Sequence, residues 1–99
     1  MSYPINNFFT RSFNHSDVSV ETSAGAFLAP LEAKDGRRIH LIVQNQHASA
    51  KVEIILNASG SEGIVLAAGA TFSIENYCGA LRMKSDTAST PVHIAYAIA

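Results

Sequence analysis

The side chains of this chain best suited to chemistry near neutral pH are four histidines, His15, His40, His47 and His93, and a single thiol, Cys78. An imidazole titrates within roughly pH 5 to 8 and, when neutral, can ligate a metal ion. The four are scattered with no short ligand spacing, and neither Cys-x-x-Cys nor His-Glu-x-x-His occurs, so no metal site is expected. Nucleophilic catalysis needs a hydroxyl or thiol, a base within reach and a group that orients the base. Serines and threonines abound, yet none lies in a Gly-x-Ser-x-Gly elbow. Cys78, within Asn76-Tyr77-Cys78-Gly79, reads as a small packing residue.

The acids Asp17, Glu21, Glu32, Asp35, Glu53, Glu62, Glu75 and Asp86 form no pair that sequence can bring together for acid/base work. Gly60-Ser61-Glu62-Gly63 has too little glycine and no following helix to cradle a phosphate. No catalytic residue and no cofactor is therefore expected, and the chain reads as a non-enzyme.

Composition directs attention to surfaces. Hydrophobic residues make up 47% of the 99 residues and charged residues only 15%, against about 25% charged in an ordinary soluble domain. A small domain so poor in charge is expected to cover part of its surface by assembly. Seven Lys and Arg against eight Asp and Glu give a formal charge of −1 and no basic stripe, so direct nucleic-acid binding is not expected. A lone cysteine allows no internal disulfide. Met1-Ser-Tyr-Pro-Ile-Asn-Asn-Phe-Phe has no signal-peptide pattern, and no run is apolar enough for a membrane span, so synthesis in a cytoplasm is the default expectation. The sequons at Asn14 and Asn57 are read as turn residues.

The elements that must position these residues are short strands. Val18 and Val20 alternate within Asp17–Thr22, and Ala26-Phe27-Leu28-Ala29 is a second run stopped by Pro30. Asp35-Gly36 marks a turn. Arg38–Asn45 and Lys51–Leu56 then read as two neighbouring strands, with Ile39, Leu41, Val43, Val52, Ile54 and Leu56 inward. Their outward Ile42 and Ile55 would meet if the two strands pair. Ile64–Leu66 follows, and then the turn Ala67–Ala70 with Gly69 at the position that requires positive φ. Further strands place Phe72, Ile74, Leu81 and Met83 inward. The last strand sets Val92, Ile94, Tyr96 and Ile98 on one face and His93, Ala95 and Ala97 on the other, with no charge on either. It is expected to be central, its small-residue face covered by the domain or by another subunit. Eight such strands, recurring roughly every 8–12 residues without an amphipathic helix, indicate an all-β fold: a two-sheet antiparallel β-sandwich or jelly roll over residues 17–99.

Residues 1–16 read as an extended N-terminal arm. Tyr3, Phe8, Phe9 and Phe13 show neither period and are expected either to cap this domain's core or to anchor on a neighbouring subunit. With Ile42, Ile55, His93, Ala95 and Ala97 they make up the expected interface.

From Arg38 to Ala97 the layout resembles small bacteriophage virion proteins of the decoration, cement and head-fibre class. The residues that carry it are Arg38-Ile-His-Leu-Ile-Val-Gln-Asn45, Val52-Glu-Ile-Ile-Leu56, Gly63-Ile-Val-Leu-Ala-Ala-Gly69, Gly79-Ala-Leu81 and Val92-His-Ile-Ala95. The resemblance implies a structural protein on the capsid surface of a virion. It would be a homo-oligomer, a trimer favoured over a dimer, bridging subunits of the major capsid protein. The alternative is a receptor- or glycan-binding domain of a tail or fibre, although the chain has no tryptophan and only Tyr3, Tyr77 and Tyr96 as tyrosine platforms. With Tyr96 on the inward face, Tyr96→Ala is expected to cost about 3–5 kcal/mol as a core truncation; an unchanged melting temperature would remove Tyr96 from the core.

Overall fold

The computed structural model of the chain describes residues 12–29 and 38–98. Among them are eight strands and no helix: β1 (Asn14–Val20), β2 (Gly25–Leu28), β3 (Ile39–Asn45), β4 (Val52–Ile55), β5 (Ile64–Leu66), β6 (Thr71–Tyr77), β7 (Leu81–Ser85) and β8 (Thr90–Ile98). β1 takes in Asn14, His15 and Ser16, the last residues of the expected arm. Tyr3, Phe8, Phe9, Pro30 and the Asp35-Gly36 turn lie outside the described residues.

The strands form two antiparallel four-stranded sheets, ordered β1-β8-β3-β6 and β2-β7-β4-β5. First pairs with last, second with seventh, third with sixth and fourth with fifth. Such nesting is what a single long antiparallel hairpin gives when it is rolled up, its successive pairs falling alternately into the two sheets. This is jelly-roll wiring. The expected two-sheet fold is thus observed, and β8 is central between β1 and β3.

Inward positions of both sheets meet in one core. Val20, Leu41, Val43, Val52, Ile54, Leu81, Met83 and Val92 are completely buried, each aliphatic side chain contributing about 1.5–3 kcal/mol by leaving water. Phe72, Ile74, Leu56, Tyr77 and Tyr96 pack against its rim.

Arg38–Leu56 does not form the expected pair of neighbouring strands. β3 bonds to β8 and β6 in the first sheet, whereas β4 lies between β7 and β5 in the second. Ile42 and Ile55 therefore sit in different sheets and share no patch; Ile55 is 0% exposed and so cannot be a surface residue of this chain. Period-2 alternation tells which side of a strand is apolar, and it is equally satisfied whether the next strand joins the same sheet or the facing one.

The side chain of Asn45 accounts for the crossing. It is fully buried at the end of β3. Its Nδ2 donates to the carbonyls of Ala50 at 2.8 Å and of Leu66 and Ala67 at 3.2 Å, while its Oδ1 accepts the His47 N–H at 3.0 Å. One amide thus joins the end of β3, the β3–β4 loop and the end of β5, across the two sheets. His47 tightens the same loop: its Nδ1 accepts the N–H groups of Ser49 and Ala50, both at 2.9 Å. Beyond β5, the Ala70 N–H donates to the Ala67 carbonyl, and Gly69 takes φ 75° as expected for that turn. Gly63 is required for a different reason, since a Cβ there would lie 2.0 Å from the Ile54 carbonyl oxygen.

Asn45→Ala leaves these loop groups unpaired in the interior and is expected to cost about 3 kcal/mol. The thermal midpoint should fall by roughly 4–8 °C for each kcal/mol lost. Asn45→Asp, which turns an oxygen toward three carbonyls, should be at least as harmful. Wild-type stability in both variants, measured by thermal and urea unfolding, would show that the amide does not hold the crossing.

Candidate functional site

Five of the expected interface residues come together on one surface, the outer face of the β1-β8-β3-β6 sheet. β8 contributes His93, Ala95 and Ala97 there, because Val92, Ile94 and Tyr96 take the inward positions. In register, Ala95 lies between His15 of β1 and Ile42 of β3, His93 between Asp17 and Gln44, and Ala97 beside His40. Phe13, just before β1, meets the His40 ring edge-on with centroids 5.5 Å apart. The small Ala97 side chain on the intervening strand leaves room for that contact, and Ala95 and Ala97 are themselves nearly covered, at 4% and 8% exposed. The outward positions of β1, β8 and β3 carry one carboxylate, Asp17, and no lysine or arginine.

Sequence reasoning missed what stands at the β1 side of this face. His93 Nδ1 is 2.7 Å from Asp17 Oδ1, and its Nε2 is 2.9 Å from His15 Nδ1. A carboxylate only accepts, so the proton on Nδ1 of His93 is fixed by Asp17. The remaining nitrogen of His93 then shares a proton with His15. The line Asp17–His93–His15 has the first two members of a nucleophilic triad, but an imidazole, not a hydroxyl or thiol, stands at the third position. It can hold or pass a proton; it supplies neither a hydroxyl nor a thiol. Alternation of His15, Asp17 and Ser19 was the available signal, but pairing β1 with β8 joins residues 78 positions apart.

The outer face of the other sheet is different in kind. Lys84 and Glu53 form an ion pair at 3.8 Å. Arg82 donates to the Gly60 carbonyl at 2.6 Å and Lys84 to the Ser61 carbonyl at 3.1 Å, while Glu53 accepts the Gly63 N–H at 2.6 Å. The charges of β4 and β7 are therefore engaged with the β4–β5 loop. A shallow depression beside them, lined by Thr22, Lys51, Glu53, Val65, Lys84 and Asp86, holds no histidine or thiol. Cys78 is half-buried after β6. Beside it Tyr77 donates its hydroxyl to the Ala80 carbonyl, and burial, with a smaller effect of Cys78, raises the pKa of that hydroxyl above its ordinary value. Because Tyr77 and Tyr96 both pack against the core, neither is an open platform for a sugar.

No family model matches the chain, and no curated protein does. A solved structure is similar. It comes from Bacillus endospore appendages, described as a family of disulfide-linked pili, and it is 17% identical with a TM-score of 0.68 over 90% of this chain and 84% of that one. At that identity the likeness shows the fold alone, over 90% of this chain and 84% of that one.

Proposed function

We propose that this protein is a non-catalytic structural subunit that assembles with copies of itself into an extracellular, fibre-like appendage. The observation that carries the reading is the fold likeness to a pilus-forming protein over 90% of the chain. Two features of the chain support it. Charged residues are only 15% of the sequence, and the outward positions of β1, β8 and β3 carry histidine, alanine, isoleucine and glutamine with a single carboxylate. A surface of that composition gains from being covered by another copy. The phage-capsid partner implied by the sequence resemblance would use the same oligomeric, structural role, but the fold comparison supports an appendage and offers no capsid protein.

Cysteine arithmetic separates this protein from its neighbour. The neighbour's pili are disulfide-linked. A chain joined covalently from end to end needs at least two cysteines in every subunit, and this sequence has one. Cys78 can join two copies and no more, so a fibre of this chain alone is held by packing of strands and side chains.

The purified, tag-free protein is expected to form filaments or large oligomers in electron micrographs and in sedimentation, with nothing larger than a dimer on a non-reducing denaturing gel. Ile42→Asp, which puts a charge between Ala95 and Ser73, should reduce assembly by about tenfold or more, as expected for loss of more than about 1.4 kcal/mol, while leaving the melting temperature near that of the wild type. A protein that stays monomeric at all concentrations would overturn the proposal. Co-sedimentation with empty phage capsids in the absence of filaments would return the capsid reading in its place.

A further inference from the structure

The line Asp17–His93–His15 is a cluster for which a fibre subunit has no evident need. It lies on the outer face, with His15 exposed and the His93 side chain 29% exposed, so the two rings can be reached from solvent. His15 faces Ala95 in register and His93 faces Asp17, which makes the histidines diagonal neighbours on adjacent strands. The diagonal brings His15 Nδ1 and His93 Nε2 to 2.9 Å, their ring centres 5.1 Å apart. Two neutral imidazole nitrogens this close are joined either by one proton or by one metal ion.

We propose that His15 Nδ1 and His93 Nε2 chelate a single divalent transition-metal ion, of the nickel or copper class. An ion about 2.0–2.1 Å from each nitrogen, the usual metal–imidazole length, would subtend an angle near 90° across a gap of 2.9 Å. That angle belongs to square-planar and octahedral centres. His15, at the exposed side, turns its ring so that the lone pair points at the ion.

Asp17 completes the logic. A carboxylate on the far nitrogen of a ligating histidine fixes the tautomer and raises the ring's basicity. At 2.7 Å from His93 Nδ1, Asp17 keeps the proton there and leaves Nε2 with its lone pair. His40 is on the same face, but its ring is engaged edge-on with Phe13. The described residues contain no group of three or more His, Cys, Asp or Glu that could hold a metal ion. The described residues therefore supply two ligands and water completes the coordination, which gives an exchangeable site of modest affinity. The inference stands on this geometry and is independent of the fibre reading.

The test is titration of tag-free protein with Ni2+ and with Cu2+ by calorimetry, together with histidine ring signals in NMR spectra. One saturable site is expected, with His15 and His93 resonances broadened and those of His40 and His47 unaffected. His15→Ala and His93→Ala should each weaken binding by at least about tenfold. Asp17→Asn should weaken it by roughly 10–100-fold, as for other residues that orient a ligating histidine. His47→Asn, which keeps an acceptor for the loop, should leave it unchanged, and each variant's fold is checked by its melting temperature. Absence of saturable binding below about 1 mM, or affinity that His93→Ala leaves within about twofold, would overturn the proposal and leave a proton as the bridge.

Discussion

The architecture depends on one buried amide. Asn45 is 0% exposed and makes four hydrogen bonds, to three carbonyls and one N–H, drawn from β3's own following loop and from the end of β5. A polar group taken out of water is tolerated only when its partners are all present. The amide is therefore a strict condition on the fold: the chain leaving β3 must turn toward the second sheet, and β5 must end beside it, or the group is stranded. Hydrophobic burial supplies most of the favourable free energy, but it has no direction. The hydrogen bonds of Asn45 and the loop bonds accepted by His47 supply the direction.

Once the crossing is fixed, the rolled hairpin makes β8 a central strand with an apolar inward side and a small-residue outward side. Ala95 and Ala97 are short enough to let the residues on β1 and β3 approach across them, which is how Phe13 reaches His40 and how Ile42 comes to share a face with His15. The two outer faces then diverge. One engages its lysine, arginine and glutamate with its own β4–β5 loop. On the other, the outward positions of β1, β8 and β3 keep one carboxylate, no lysine or arginine, and concentrate histidine.

Much of the fold was legible in the sequence, for a simple reason. In a strand the side chains alternate strictly, so Leu41 and Val43, Leu81 and Met83, Val92 and Ile94 declare both the strand and its inward side. Gly69 declared its turn because only glycine takes φ 75° without cost. Ile55 misled for the complementary reason: alternation assigns it outward, yet it is buried completely at the last position of β4. Asn45 gave no signal, because an asparagine at a strand end reads as a turn residue in solvent.

What the sequence by itself determined was local: strand positions, the inward set, the absence of a disulfide framework and the scarcity of charge. Which strands neighbour one another was settled only by tertiary structure, because pairing preferences in a sheet reside in burial and in long-range contacts, which alternation does not encode. The same limit applies to the site. His15 and His93 are 78 positions apart, and nothing in their spacing links them. They meet because the first strand and the last close the roll side by side, and Asp17, two residues after His15, meets His93 for the same reason.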